Sequence, residues 1–187
     1  MRELLIRYSK STNTMILEEL GLEHGLARID IALINGSIHG YEIKSDKDTL
    51  ERLPHQQKIY NSILDRVTII VGFRHAYEVI KEVPDWWGIK LAEMGPRGGI
   101  KFHNFRKANK NPSINKLSVA RLLWKQEALD LLDEVSSSKG FLSKSKTLIY
   151  QELCNRIELN TLKKKVREKL RDRSNWRVDQ LQMLCGD

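Results

Sequence analysis

The stretch from Ala27 to Lys44 constrains this chain more than any other. Two apolar runs, Ala27-Arg28-Ile29-Asp30-Ile31-Ala32-Leu33-Ile34 and Ser37-Ile38-His39-Gly40-Tyr41-Glu42-Ile43-Lys44, flank Asn35-Gly36. Asn-Gly between two such runs signals a β-hairpin. Asp30, Glu42 and Lys44 are nevertheless charged. Two carboxylates and a lysine at the ends of a hydrophobic hairpin are costly to place unless something binds them. A hard divalent cation with a phosphate-bearing substrate accounts for all three.

Register decides whether they can cooperate. A strict two-residue turn pairs Ile34 with Ser37 and sets Asp30 against Tyr41. Glu42 then points to the opposite face, because neighbours along a strand alternate. A three-residue loop, Asn35-Gly36-Ser37 with Gly36 at positive φ, pairs Ile34 with Ile38 and Asp30 with Glu42, and Lys44 joins them. The other face becomes Ile29, Ile31, Leu33, Tyr41 and Ile43. The three-residue register is expected, and a bulge at Gly40 is an alternative route to the same faces. His39 is the one residue it leaves without a role.

The following segment predicts a helix over 50–64, with Leu50, Leu53, Gln57, Tyr60, Ile63 and Leu64 at helical spacing and Pro54 in its first turns. Gln56 and Tyr60, four apart, share a face. Arg66-Val67-Thr68-Ile69-Ile70-Val71-Gly72 is a nearly continuous apolar run, as in a strand buried on both faces. Strand, helix, strand at this spacing predicts a parallel pair.

An Asp followed about a dozen residues later by Glu-x-Lys at the end of the next strand resembles the PD-(D/E)XK nuclease superfamily. Gly40-Tyr41-Glu42-Ile43-Lys44-Ser45-Asp46, Asp48-Thr49-Leu50-Glu51-Arg52-Leu53, Pro84-Asp85-Trp86-Trp87-Gly88 and Leu122-Leu123-Trp124-Lys125-Gln126-Glu127-Ala128-Leu129 are similar to a bacterial and phage branch of it, so the resemblance covers most of the chain. Gln56 and Tyr60 are similar to the Gln-x-x-x-Tyr pair of RecB-like members, where it lies beside the active site. The resemblance implies an α/β, restriction-endonuclease-like core: a mixed sheet flanked by helices, here followed by a basic helical region. It also implies a Mg²⁺- or Mn²⁺-dependent phosphodiester hydrolase acting on nucleic acid, with DNA as the expected substrate. Asp30 and Glu42, with the Ile43 carbonyl, would ligate the ion, and Lys44 would orient the attacking water or stabilise developing charge. A further upstream Glu is usual in the superfamily; Glu18 and Glu19 are the candidates, with Glu3 a third.

Each feature has a plainer alternative. Asp30 and Glu42 can pair with Arg28 and Lys44 on a half-exposed sheet, and Gln56 and Tyr60 can be ordinary helix surface. Ser45-Asp46-Lys47-Asp48-Thr49 can be a helix-capping loop. His24, His39, His55, His75 and His103 show no metal-ligand spacing, and Trp86-Trp87 is expected in packing. For the whole chain, the alternatives are a catalytically silent nucleic-acid-binding module on the same fold, or a subunit of a phage or defence complex.

Charge divides the 187 residues. Residues 1–96 hold 12 Lys and Arg against 14 Asp and Glu, whereas residues 97–187 hold 20 against 10, which makes up the net +8. A near-neutral half joined to a basic half suggests chemistry in one and polyanion holding in the other. Domains are expected at 1–110 and 111–187, with a soft boundary at Asn111-Pro112. Candidate nucleic-acid contacts are Arg97, Lys101, Arg106 and Lys107 on a glycine turn and strand, and Lys163, Lys164, Arg167 and Arg171 on a C-terminal helix. That helix also carries Lys165, Lys169 and Arg173, with Arg177 beyond. The C-terminal region is expected to form three helices: one from Leu117 to Leu132, one through Leu148 and Ile157, and one from Leu159 through Leu170. No stretch is long enough to span a membrane, and the N-terminus is too charged for a signal peptide. Cys154 and Cys185 form no metal or redox motif, which fits a reducing cytoplasm. A homodimer or a larger complex is left open.

Overall fold

The hairpin register is the three-residue one. In the computed structural model, which describes residues 14–184 and side chains within 14–173, Ile34 pairs with Ile38, Leu33 with His39, Ala32 with Gly40 and Ile31 with Tyr41. Gly36 takes φ 92°, a left-handed conformation that glycine adopts without steric cost.

The chain divides into two compact units, Met1–Ile114 and Asn115–Asp187. In the first, the strands are β1 (Met15–Leu22), β2 (Ala27–Ile34), β3 (Ile38–Lys44), β4 (Arg66–Gly72), β5 (Gly88–Met94) and β6 (Ile100–Arg106). They form one sheet in the order β1-β2-β3-β4-β5-β6. The β3–β4 and β4–β5 pairs are parallel, and the β1–β2, β2–β3 and β5–β6 pairs are antiparallel. Helix α1 (Leu53–Ile63) joins β3 to β4, and a 3₁₀ turn (Phe73–His75) leads into α2 (Ala76–Glu82) before β5. The fold is α/β, a mixed sheet flanked by helices, and β4 is buried along its length from Val67 to Gly72.

Helix α1 begins at Leu53, three residues later than its periodicity suggests. Leu50 to Arg52 form a turn, closed by the Leu53 amide on the Leu50 carbonyl at 2.8 Å, and Pro54 sits in the first helical turn. Residues 107–111 remain with the first unit: the Asn109 amide donates to the Trp86 carbonyl at 2.8 Å and the Asn111 amide to the Asp65 carbonyl at 2.9 Å. The break falls between Ile114 and Asn115, close to the soft boundary expected near Asn111-Pro112.

One expected face is also redrawn. Ile29 does not lie with Ile31, Leu33, Tyr41 and Ile70, which form a buried cluster against Ile16, Ile43, Ala92 and Phe102. The β1–β2 ladder skips Glu19 opposite Asp30, and Glu19 has φ 54°. Beyond that break Ile29 packs over Gly40 with Leu64, where a Cβ on Gly40 would lie 3.0 Å from Ile29 and 2.6 Å from Leu64. His39 stacks on Tyr41 at 4.4 Å and meets Thr68 Oγ1 at 2.8 Å. Burial, with Arg66 and Lys90 nearby, lowers its pKa to about 4, so His39 is a neutral packing residue.

The second unit is helical: α3 (Lys116–Ala120), α4 (Lys125–Val135), α5 (Lys146–Arg156) and α6 (Leu159–Leu184). The expected first helix is two, because residues 121–124 leave the helical path and Glu127 reaches back to cap the Trp124 amide at 2.7 Å. Arg173 on α6 binds Glu127 and the Leu122 carbonyl and lies 4.2 Å over the Trp124 ring, which fixes that corner. Among the described residues, no helix is long and apolar enough to cross a membrane.

Candidate active site

Period-2 alternation along β3 turns Tyr41 and Ile43 to one side of the sheet and Glu42 and Lys44 to the other, toward α1. Glu42 is 1% exposed and Lys44 7%. Lys44 Nζ lies 2.7 Å from Glu42 Oε1, so the two charges neutralise each other inside the fold.

Helix α1 supplies the rest of the cage. Gln56 Nε2 donates to Glu42 Oε1 at 2.9 Å and to Tyr60 Oη at 3.1 Å. Tyr60 Oη lies 2.7 Å from Glu42 Oε2 and 2.7 Å from the Arg28 carbonyl. The single phenolic proton serves one of these acceptors at a time. Burial, then Glu42, pushes the Tyr60 pKa far up, so it stays a neutral phenol. Tyr60 stacks against Trp87 at 6.1 Å, and Trp87 Nε1 donates to Asn61 Oδ1 at 2.8 Å, placing this tryptophan in the packing. Gln56 and Tyr60 are therefore the groups that orient Glu42.

Asp30 completes the cluster differently from a simple cross-strand pair. The β2–β3 ladder stops at Ile31 and Tyr41, and Asp30 Oδ2 accepts the Ile43 amide at 2.7 Å. Ile43 is thereby held between the two carboxylates. Burial, then the like charge of Glu42, raises the Asp30 pKa to about 6, against the opposing effects of the Ile43 amide and Lys44. A carboxyl in that state gains from any cation that joins it.

Of the upstream glutamates, Glu19 is the one whose charge reaches Asp30, although its carboxylate also pairs with exposed Arg28 at 3.3 Å. Glu18 lies opposite Ile31 and so belongs to the other face of the sheet. Glu3 and Arg177 lie outside the residues whose side chains are described. Among the described residues, no three His, Cys, Asp or Glu side chains are grouped to hold a metal ion. The donor set still fits a hard cation. Asp30 holds the Ile43 amide beside the buried Glu42 carboxylate, burial and then Glu42 raise its pKa, and Gln56 Oε1 is a buried acceptor with no donor, where an ion-bound water would supply one.

The basic candidates fare unequally. Arg97, Lys101 and Lys107 are exposed, as is Lys164, while Lys163, Arg167 and Arg171 are half-buried. Arg106 is a strut: its guanidinium donates to the Trp87 carbonyl at 2.7 Å and the Pro84 carbonyl at 2.9 Å, and pairs with Asp85 at 3.2 Å. On α6, Lys165 is taken by Glu134 at 2.5 Å. The group that sequence reasoning missed is the Arg28 carbonyl, a main-chain acceptor with no signature in residue type.

No solved structure matches the chain. Protein cII of Enterobacteria phage P4 is 28% identical over 171 residues, which is 91% of this chain and 64% of that protein. The chain thus spans less than two thirds of its relative's length. The family model described as bacteriophage P4 protein cII matches residues 2–183, nearly the whole sequence, and the chain belongs to that family.

Proposed function

We propose that this chain is a metal-dependent nuclease of the PD-(D/E)XK type, hydrolysing phosphodiester bonds in nucleic acid, with DNA as the expected substrate. The observation that carries the proposal is the convergence of Asp30, Glu42 and Lys44 at one end of β2 and β3, with Glu42 gripped by Gln56 and Tyr60. A silent protein has no physical reason to keep a carboxyl of raised pKa beside a buried carboxylate–lysine pair.

Asp30, Glu42 and the Ile43 carbonyl would hold Mg²⁺ or Mn²⁺, with Glu19 as the upstream carboxylate. When bound, the ion lowers the pKa of a coordinated water and offsets charge on the phosphoryl oxygens. Lys44, kept in place by Glu42, orients the nucleophile and stabilises the developing negative charge. Gln56 and Tyr60 fix the Glu42 carboxylate, so little reorganisation is needed during reaction. A cytoplasmic setting belongs to the same proposal. Purified protein incubated with single-stranded, duplex and branched DNA and with RNA, with Mg²⁺, with Mn²⁺ and with chelator, should cut only with metal. Absence of cleavage on every substrate, together with no ion binding by calorimetry, excludes the nuclease function and leaves the silent binding module.

The helical unit is proposed to hold the polyanion. Neutralising Lys163, Lys164, Arg167 and Arg171 together should weaken binding and flatten its salt dependence, each lost phosphate contact removing about one counterion from the slope. Turnover at saturating substrate should change far less. A salt titration in chelator checks this, and an unchanged slope assigns binding to Arg97, Lys101 and Lys107.

A further inference from the structure

The row of the sheet that contains Lys44 continues past the cluster. Lys44 pairs with Val71, Val71 with Leu91 and Leu91 with His103, and residues paired in this way share a face. His103 on β6 therefore lies on the same side of the sheet as Lys44, three strand spacings or about 14 Å away. Its ring meets Phe73 edge-on at 6.3 Å. Phe73 stands two residues beyond Val71, where β4 turns into α2.

Phe73 is 55% exposed and Tyr77 71%. They stand four residues apart, Phe73 opening the 3₁₀ turn and Tyr77 in the first turn of α2. Lys81 Nζ covers one face of Tyr77 at 4.1 Å. Lys101, two residues before His103 on β6, is exposed, as is Arg74 beside Phe73. Glu93 pairs with His103 at 2.7 Å and Asp46 Oδ1 accepts from the Arg74 amide at 3.1 Å, while Glu78 and Glu82 on α2 are exposed. Large aromatic rings left in water beside cations, in line with a phosphodiester-cleaving cluster, suit one occupant. They match the stacking faces and charged backbone of unpaired nucleic acid, whereas duplex bases already stack on one another and offer no free faces.

We infer that Phe73 and Tyr77, backed by His103, stack unpaired bases of a single strand that passes this edge of the sheet on its way to the cluster around Lys44. The inference deepens the nuclease proposal and rests on it for the direction of the strand. It names the substrate class as single-stranded nucleic acid, or the unpaired part of a branched one. His103 supports Phe73 and is a positioning residue.

The experiment measures binding of the full-length chain in chelator, by fluorescence anisotropy, to three probes of equal length: oligothymidylate, an abasic strand with the same phosphates, and a duplex. Oligothymidylate should bind tightest. Phe73→Ala should weaken it about tenfold or more and leave the abasic strand unchanged, while Phe73→Trp should retain binding. Phe73→Leu, which keeps apolar volume without a π face, should behave like the alanine variant. Equal affinity for oligothymidylate and the abasic strand, equal loss on both in Phe73→Ala, or preference for duplex overturns the inference; the patch then serves a protein partner. The parallel metal-dependent cleavage assay separates the two proposals. A chain that cuts duplex unaffected by Phe73→Ala loses this inference and keeps the nuclease function. A chain that reads bases through Phe73 but cuts nothing keeps the inference and loses the nuclease.

Discussion

Glu42→Ala is expected to cost the fold about 3–5 kcal/mol in addition to abolishing cleavage, because removing one partner of a buried ion pair leaves the other charge uncompensated. Lys44 is 7% exposed and its ammonium has Glu42 at 2.7 Å. The same substitution takes away the acceptor of Gln56 Nε2 and a partner of Tyr60 Oη. Lys44→Ala should destabilise for the reciprocal reason. The double variant Glu42→Leu with Lys44→Met removes both charges at similar volume and should recover much of the loss while staying inactive. Urea unfolding of the three proteins measures this. A single variant within about 1 kcal/mol of wild type would show that the pair is solvated and that its apparent burial contributes nothing.

Asp30→Asn is expected to have the opposite sign. In the fold this carboxyl titrates at about 6 against a reference of 3.8, so between those values the folded chain holds a proton the unfolded chain has released. Stability is therefore highest with respect to this group below about pH 4 and falls as the pH rises through about 6. After allowance for partial exposure, the loss by pH 7 in metal-free protein is about 1–2 kcal/mol. Asparagine keeps an oxygen for the Ile43 amide and carries no charge. The variant should melt above wild type at pH 7 in chelator, the gap closing by pH 4, and should be inactive with metal. Mg²⁺ should raise the wild-type melting temperature at pH 7 and leave the variant's nearly unchanged. A melting difference that does not vary with pH would place the Asp30 carboxyl in ordinary solvent.

The sequence by itself determined the parts that local chemistry controls. Asn35-Gly36 marked the hairpin, and gathering Asp30, Glu42 and Lys44 on one face chose the three-residue register, since a one-residue slip exchanges the faces. The unbroken run from Arg66 to Gly72 declared a strand covered on both faces, and the four-residue spacing of Gln56 and Tyr60 declared a shared helical face. Strands β1 and β5 were not legible: Glu18-Glu19 interrupts the pattern of β1, and Lys90 and Glu93 that of β5. Tertiary structure alone decided the rest. It turned Ile29 across the sheet through the break at Glu19, divided the expected helix at Trp124, and made Arg106 a strut on the carbonyls of Pro84 and Trp87. It also put Glu19, rather than Glu18, on the side of Asp30, and buried Glu42 beside Tyr60, whose hydroxyl lies against the carbonyl of Arg28, 32 residues earlier. Those outcomes depend on partners distant in sequence, and on main-chain groups that every residue carries alike, so no residue type announces them.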